Sequence, residues 1–358
     1  MLDNLNILFI APQFAVALLL EGLLIGAVFA LIAYGLALVW GVMNVKNLAQ
    51  GDFVILGGYV CWWLQSISSP IHVHPLIGLF FAAIVTWLIA GGMYGTPVQR
   101  LLGRVIRLEY VLVAVIIAMV AAIYDVPVLP QIMAVIGIVA FVLGGGIFGI
   151  IIRPVLDRDL FTSLLSTFGV AIVMAQLLNI LFGSDTQTVD LGWGSLSMLD
   201  DSVLLAWQKI LAFGIAGLLA VSLVIFMKRT RMGQAIRATA QNARAARVMG
   251  IDTDKVYAFT FSLNGLICGA AGALVVMIWV IQPFYGITYS ILAFVIVTAA
   301  GLGNLPGVIA AGLGMGSLEQ FGGFILGAEY QQAIVVGLLL VVLAVRLVQQ
   351  NKKRQAVA

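Results

Sequence analysis

Residues 210–227 read ILAFGIAGLLAVSLVIFM, a run of eighteen residues without a charge. An α-helix needs about 20 apolar residues to cross a bilayer. The run does not alternate between apolar and polar residues, as the strands of a membrane β-barrel do, and it therefore predicts a transmembrane helix. About eleven apolar runs follow one another along the chain. The sequence predicts an all-α fold, a polytopic transmembrane helical bundle that forms one domain over residues 1–358.

The composition excludes a water-soluble protein. Of the 358 residues, 63% are hydrophobic and 9% are charged, and the mean hydropathy is +1.14. Soluble domains are about 45–50% apolar and about 25% charged. These values exclude a soluble enzyme, a disordered chain and a nucleic-acid-binding protein. The sequence also lacks a phosphate-binding P-loop, a nucleophile motif with its partners and a metal-spaced Cys/His set. We therefore expect no catalytic residue, no cofactor and no metal.

Lysine and arginine are concentrated in residues 228–255, which we call the basic connection. It carries seven of the 18 basic residues, whereas the preceding connection, residues 183–206, carries four aspartates and no Lys or Arg. Since cytoplasmic loops are enriched in Lys and Arg, the basic connection is predicted to be cytoplasmic. Alternation of the predicted spans then places the N-terminus outside and the C-terminus inside a bacterial-type plasma (inner) membrane.

A carboxylate lies within the first apolar run. Glu21 is followed by Gly22, Gly26 and Ala30, a four-residue spacing of small residues that is typical of closely packed membrane helices. We therefore expect Glu21 to face a neighbouring helix or a substrate path rather than lipid. The alternatives are a residue at the level of the lipid headgroups and a buried, hydrogen-bonded carboxylate.

A polar break, NVKNLAQGDFVILGG at residues 44–58, separates two apolar runs. Gln50 and Asp52 could begin a helix there, with Asp52 near its positively polarised N-terminus. Broken helices whose polar ends face a cavity recur in transporters, which makes both residues candidates for a substrate path. The alternative is an ordinary inner loop that ends in a helix cap.

Two further apolar runs, Phe53–Leu64 and Tyr289–Leu302, are too short to cross a bilayer directly. They predict tilted or re-entrant helices, so the bundle is expected to contain broken or re-entrant elements. Asn264, inside an apolar run, and Asn304, at a break, complete the candidate substrate path. Hydrogen bonding between helices is the alternative for both.

Two glycine-rich stretches resemble each other at an offset of 54 residues. They are Leu88–Arg104, LIAGGMYGTPVQRLLGR, and Val142–Arg158, VLGGGIFGIIIRPVLDR. Such an offset fits two membrane crossings with their loops. Our hypothesis is that residues 105–150 form an extra two-span hairpin. Chance similarity between glycine-rich apolar helices is the alternative.

Within the basic connection, the Arg/Ala pattern QAIRATAQNARAARVM predicts short amphipathic helices. Such helices can lie on a lipid surface, dock onto a cytoplasmic partner or form a solvated loop.

Four separated blocks of the sequence resemble the LivH-type permeases of ABC importers for branched-chain amino acids. The blocks, in the order of that family, are GLLIGAVFALIAYGLALVWGVMNVKNLAQGDFVILGGYV, IIRPVLDRDLFTSLLSTFGVAIVMAQLLNILFGS, GQAIRATAQNARAARVMGIDTDKVYAFTFSLNGLICGAAGAL and FVIVTAAGLGNLPGVIAAGLGMGSLE. Together they cover most of the chain.

The resemblance implies a transport subunit, not an enzyme, with ATP hydrolysis in its partners. Those partners would be a second homologous permease, two cytoplasmic ATPase subunits and an external substrate-binding protein, assembled in a lipid bilayer. The resemblance further implies that one part of the basic connection couples the permease to an ATPase groove. The matching positions are Gly233, Arg237, Arg244, Ala245, Ala246 and Gly250.

This sequence departs from the family at three places. Arg244 stands where many relatives carry Glu, Gln50 stands where they usually carry His, and Ala118–Ala140 has no counterpart. Permeases for urea and short amides share the same blocks and are the alternative substrate class. From the residues alone, an ion-coupled secondary transporter that uses Glu21 and Asp52 remains a further alternative, as does a membrane scaffold.

Overall fold

The structure is a computed structural model that describes residues 10–67, 75–94, 146–156, 158–198, 203–301 and 303–331, with a few single positions and short pieces outside these ranges. The predicted hairpin at residues 105–150 lies almost entirely outside the described residues, and so does the C-terminal tail. The described helices are α1 Pro12–Met43, α2 Gln50–Ile67, α3 Pro75–Ala90, α4 Leu160–Phe182, α5 Trp207–Arg229, α6 Arg231–Gln241, α7 Ala243–Val248, α8 Thr253–Ile278, α9 Gly286–Ala300 and α10 Leu305–Leu326.

The smaller elements connect these helices. A π-helical turn and one α-helical turn precede α4, a two-stranded antiparallel hairpin precedes α5, and 3-10 turns precede α9 and follow α10. Their bounds are Phe148–Ile152 and Arg153–Val155, β1 Ser195–Met198 and β2 Val203–Ala206, and Pro283–Tyr285 and Ala328–Tyr330. Ser195 pairs with Ala206 at the base of the hairpin.

Six of the described helices are long and apolar enough to cross a membrane, which confirms the prediction of an all-α polytopic bundle. The first apolar run forms the single helix α1 of 32 residues. At 1.5 Å per residue it is about 48 Å long, so it exceeds the hydrocarbon layer of about 30 Å.

Helices α1 and α10 pack backbone to backbone through small residues. A Cβ atom on Gly26 would lie 2.8 Å from the Gly312 carbonyl oxygen, and one on Gly316 would overlap the Gly22 carbonyl oxygen. A Cβ on Gly312 would in turn overlap Ala30. The predicted close-packing face of α1 is therefore present, and α10 supplies a matching four-residue repeat.

The centre of the bundle is α8, which is buried along most of its length between α1, α2 and α3. Small residues again set the spacing: a Cβ on Gly265 would lie 2.8 Å from the Thr86 carbonyl oxygen of α3. On its other side, a Cβ on Gly272 would overlap the Val54 carbonyl oxygen of α2. Helices α4 and α5, by contrast, expose rows of large apolar side chains, which suits a bilayer rather than water.

Candidate functional site

Residues 44–49 turn back into the bundle after α1 ends, and we call them the re-entrant segment. The segment runs alongside the last turns of α1, where the Lys46 Nζ atom lies 5.4 Å from the centre of the Trp40 ring. At its end, Gln50 donates a hydrogen bond of 2.9 Å from Nε2 to the Ile32 carbonyl oxygen. Ile32 precedes the end of α1 by eleven residues, or about 17 Å along the helix.

A second hydrogen bond, to the middle of α8, also indicates how deep in the bundle α2 begins. Gln50 Nε2 also donates to Cys268 Sγ at 2.9 Å, and Cys268 is fifteen residues, or about 22 Å, from the beginning of α8. Ile32 is about 7 Å from the midpoint of α1 and Cys268 about 4 Å from the midpoint of α8. Since both helices are longer than a hydrocarbon layer of about 30 Å, these positions place the first turn of α2 well inside the bilayer. The structure thus has a helix that begins at Gln50, as predicted from the polar break, and it shows that the break is re-entrant.

Side chains from three directions hold the backbone of the re-entrant segment. Thr167 Oγ1 of α4 accepts a bond of 3.2 Å from the Leu48 N–H. Ser290 Oγ of α9 accepts one of 2.8 Å from the Gly51 N–H and donates one of 2.7 Å to the Leu48 carbonyl oxygen. Asn47 Oδ1 accepts from the N–H two residues further on, at 3.2 Å. Irregular backbone is tolerated at membrane depth because such partners satisfy it.

The first turns of α2 and α9 meet at this point. A Cβ on Gly51 would overlap the Gly286 carbonyl oxygen, and a Cβ on Gly286 would overlap the Asp52 carboxylate. From there α9 runs along the re-entrant segment, so that Phe294 stacks on Trp40 with their ring centres 5.0 Å apart. Two helix N-termini, each with a partial positive charge, therefore converge near the carboxylate of Asp52.

A cavity of about 630 Å³ opens beside this junction, between the re-entrant segment, α4 and α9. As far as the described residues line it, its walls are mostly apolar, with one carboxylate, Asp52, and one ammonium group, Lys46. Asp52 is only 3% exposed, and its Oδ2 atom has no hydrogen-bond partner among the described residues. The described residues that line the cavity are Lys46, Leu48, Asp52, Leu164, Phe168, Ala171, Ile172, Ala175, Gln176, Phe284, Ile287, Ser290, Ile291 and Phe294.

The other two mid-bundle candidates lie next to this cavity but do not line it. Gln50 and Asn264 are fully buried, and a Cβ on Gly35 of α1 would overlap Asn264 Oδ1 and lie 3.0 Å from Gln50 Nε2. Gly35 thus lets α1 approach both amides. Their position between α1, α2 and α8 indicates that they fix the start of α2 within the bundle.

Glu21 and Asn304 lie elsewhere. Glu21 Oε1 accepts a bond of 2.7 Å from Lys209 Nζ, in a partly buried ion pair between α1 and the first turns of α5. Asn304 Oδ1 accepts from the Gly307 N–H at 3.1 Å and caps α10. Of the five predicted path residues, the structure brings only Asp52 to the cavity wall.

Sequence reasoning missed Lys46, Thr167 and Ser290. Lys46 lies in the polar break at residues 44–58, where a lone basic residue indicates membrane orientation as readily as a binding site. The two hydroxyl residues lie in apolar helices, where Ser and Thr also occur with a bond to their own backbone. Their local sequences, Ser-Thr-Phe and Tyr-Ser-Ile, give no sign of the break that they support, because the break is distant along the chain.

The basic connection begins where α6 folds back onto the end of α5. Thr230 Oγ1 caps α6 by accepting from the Gly233 N–H at 3.0 Å. A Cβ on Gly233 would lie 2.6 Å from the carbonyl oxygens of both Phe226 and Met227. Helix α6 then buries one face, with Ile236 fully buried, and exposes the other, as the predicted amphipathic pattern requires.

Helix α7 ends in an apolar tip. Asn242 Oδ1 caps this helix through the Ala245 N–H at 3.0 Å. At its end, Val248 and Met249 are 83% and 81% exposed. Gly250 follows with φ +85°, and a Cβ added to it would have no neighbouring atom within 4 Å, so backbone conformation rather than space requires the glycine. The two apolar residues were not singled out from the sequence.

The remaining matched positions of the basic connection divide into exposed and buried. Arg237, Arg244 and Ala245 are exposed, while Ala246 is buried. Within the residues that the structure describes, Arg237 and Arg244 have no carboxylate within 4 Å. Arg247, by contrast, donates from Nε to Thr253 Oγ1 at 2.7 Å and so ties α7 to α8.

Two acidic residues anchor the end of the basic connection. Asp252 caps α8 and pairs with Lys255 at 2.8 Å, and this hydrogen bond lowers the pKa of the Asp252 carboxyl. Asp254 pairs with Arg153 at 3.0 Å, and the Arg153 guanidinium lies 5.7 Å from the centre of the Tyr94 ring. In the described part of the chain, no group of three or more His, Cys, Asp or Glu could hold a metal ion.

The chain matches the family described as the permease component of branched-chain amino acid transport systems, over residues 18–132 and 109–343. The high-affinity branched-chain amino acid permease BraD of Pseudomonas aeruginosa is 26% identical over 92% of each chain. The corresponding permease LivH of Salmonella typhimurium is 26% identical over 91% of each chain. The structure of PsaBC from Streptococcus pneumoniae with Fab covers 96% of this chain and 95% of its own at 12% identity, with a TM-score of 0.40, which is too distant to bear on the fold.

The family match spans most of the chain, and the helices needed for a multi-pass membrane protein are present. The blocks that carried the resemblance in the sequence lie within the matched residues. This chain therefore belongs to the family of branched-chain amino acid transport system permease components, as a membrane-spanning transport subunit.

Proposed function

We propose that this chain imports branched-chain amino acids as one permease of an ABC importer, with ATP hydrolysis in partner subunits. The observation that carries the coupling part of the proposal is the apolar tip at Val248 and Met249. Two large apolar side chains at more than 80% exposure, on a turn held by helix caps, favour docking into a groove of another protein. Support for the substrate class comes from the names of BraD and LivH.

The proposed assembly has a second homologous permease, two ATPases on the side of the basic connection and an external binding protein on the opposite side. In this arrangement Gly233 holds α6 against α5, and Ala246 seats α7 on the bundle. Arg237, Arg244 and Ala245 face the ATPase beside the apolar tip. Arginine at position 244 would pair with a carboxylate of the ATPase, since arginine forms strong charge-assisted bonds with carboxylates.

We propose the orientation that follows from the basic residues: the basic connection and C-terminus in the cytoplasm and the N-terminus outside. In the same way we propose that residues 105–150 add a two-span hairpin. Tyr94, upstream of that region, and Phe148, near its end, are neighbours, with 5.0 Å between their ring centres. A Cβ on Gly146 would also overlap the Ile89 carbonyl oxygen. The described residues on the two sides of positions 97–145 are therefore close in space, which is compatible with an inserted hairpin between them.

The test is reconstitution of the complete importer in proteoliposomes, with ATP enclosed on the ATPase side. We expect uptake of labelled leucine, isoleucine and valine that requires both ATP and the binding protein, and no uptake of urea. Uptake driven by an ion gradient without ATP would contradict the ABC mechanism. ATP-dependent uptake of urea but not of leucine would contradict the substrate class.

A further inference from the structure

We propose that the cavity between the re-entrant segment, α4 and α9 binds the zwitterion of an aliphatic α-amino acid. In this site Asp52 binds the α-ammonium group, Lys46 binds the α-carboxylate, and the apolar walls hold the side chain. The substrate class rests on the proposed function, whereas the site and its chemistry rest on the geometry of the cavity.

The charges that line the cavity are balanced. They comprise one carboxylate and one ammonium group, and neither has an ion-pair partner in the described part of the chain. A zwitterion would neutralise both groups, whereas a simple cation or anion would leave one charge uncompensated in an apolar site. An uncharged amide such as urea would compensate neither.

Asp52 is placed to receive an ammonium group. Its carboxylate is almost fully buried at the cavity wall, and the Oδ2 atom lacks a partner among the described residues. Buried polar atoms are normally hydrogen-bonded, so this oxygen is suited to accept a bond from a ligand that donates. The N-termini of α2 and α9 stabilise the negative charge that attracts the ammonium group.

The carboxylate of the ligand needs a different partner, because three backbone N–H groups around the start of α2 already have acceptors. Thr167, Asn47 and Ser290 accept from the N–H groups of Leu48, Ala49 and Gly51. Those N–H groups are therefore not available to an anion, as they would be at an open helix N-terminus. Lys46, on its flexible four-carbon stem, is the cation of the cavity that can reach a carboxylate.

The rest of the lining suits a branched aliphatic side chain. Helix α4 contributes Phe168 and Ile172, and α9 contributes Ile287, Ile291 and Phe294. A volume of about 630 Å³ has room for leucine together with some water.

The cavity can be probed with a thiol, because the two native cysteines of the chain do not compete. Cys61 and Cys268 are both fully buried, whereas Ala175 lines the cavity. The Ala175→Cys variant of the full chain, in membranes, is labelled with a small water-soluble thiosulfonate reagent. We expect leucine to slow this labelling, while 4-methylpentanoic acid, which lacks the ammonium group, and 3-methylbutylamine, which lacks the carboxylate, do not at the same concentration.

The charged residues are then tested in the Ala175→Cys background. Asp52→Asn and Lys46→Gln should each raise the leucine concentration for half-protection about 10- to 100-fold, the loss expected for one charge-assisted bond. Asp52→Asn removes the proposed partner of the ammonium group and should reduce the preference for leucine over 4-methylpentanoic acid. Lys46→Gln removes the proposed partner of the carboxylate and should reduce the preference for leucine over 3-methylbutylamine. The labelling rate without ligand reports whether each variant keeps its cavity, and Lys46→Gln remains informative if Asp52→Asn does not fold.

The Thr186→Cys variant, on an exposed connection, is the control, and its labelling should not respond to leucine. Unchanged protection by leucine in both charge variants would overturn the proposal, as would protection by either analogue equal to the protection by leucine. If the importer transports leucine but leucine does not protect position 175, the site is wrong and the proposed function stands. If leucine protects but no branched-chain amino acid is transported, the proposed function is wrong and the site stands.

Discussion

The re-entrant segment and the basic connection are both polar breaks between apolar helices, yet they are stabilised in different ways. In the re-entrant segment, distant helices α4 and α9 supply the hydrogen-bond partners. In the basic connection, local caps such as Thr230 and Asn242 supply them, and the tip remains exposed. The difference indicates that the first break is part of the core, whereas the second is a self-contained unit that presents a surface.

The largest effect is expected where the re-entrant segment meets α9. In Gly51→Leu the new side chain would overlap the backbone of Gly286, which cannot move as a flexible side chain could. We expect a loss of about 3 kcal/mol or more and little folded protein in the membrane. Size-exclusion chromatography of the solubilised protein measures this. Gly169→Leu, at a glycine where an added Cβ would meet open space, is the control and should give normal yield.

The exposed tip should show the opposite behaviour, with a large effect on assembly and none on folding. Val248→Ser combined with Met249→Ser removes two apolar side chains that are proposed to be buried by the ATPase. We expect affinity for the ATPase to fall at least about 100-fold, since two buried side chains at about 1.5–3 kcal/mol each contribute about 3–6 kcal/mol. Co-purification with the ATPases is the measurement, with Gln234→Ser on the exposed face of α6 as control. Wild-type assembly of the double variant would argue against docking at the tip.

One threonine supports each polar break, so the loss of stability on replacing each of them compares the two breaks directly. Thr167→Val leaves the Leu48 N–H without its acceptor inside the bundle, and we expect a loss of about 1–3 kcal/mol. Thr230→Val removes a helix cap near the surface, where water can replace it, and we expect about 1 kcal/mol. Thermal unfolding in detergent should show the lower Tm for Thr167→Val. Equal shifts would contradict a buried role for the re-entrant segment.

Substitutions of Gly250 can distinguish a requirement for a small side chain from a requirement for left-handed backbone in the basic connection. Because its surroundings are open but φ is +85°, size should matter less than the ability to adopt left-handed backbone. Gly250→Val should weaken ATPase association through about 1–2 kcal/mol of strain, whereas Gly250→Asn should retain most of it. Both variants should insert normally into the membrane. Equal loss in both would point instead to direct contact of this position with the ATPase.

The sequence could predict the elements that depend on local pattern. Apolar run length predicted the spans, small-residue spacing at Gly22 and Gly26 predicted a close helix contact, and the Arg/Ala pattern predicted the amphipathic α6. It could not identify α10 as the partner of α1, or the cavity, because these depend on which distant helices meet. Lys46 and Ser290 are 244 residues apart and line one cavity.

The smallest effect is expected at Glu21, which the sequence predicted to face a neighbouring helix or a substrate path and which the structure pairs with Lys209 of α5. The pair is partly exposed and lies about 17 Å along α1 from Ile32, beside the cavity junction. Glu21→Gln should therefore leave leucine uptake near the wild-type level and lower stability by at most about 1 kcal/mol. The Glu21→Gln, Lys209→Gln double variant should be no less stable than either single variant, because the interaction is already lost in each. An uptake defect in Glu21→Gln at normal expression, with no defect in Lys209→Gln, would show that Glu21 acts on the substrate and not only as a link between α1 and α5.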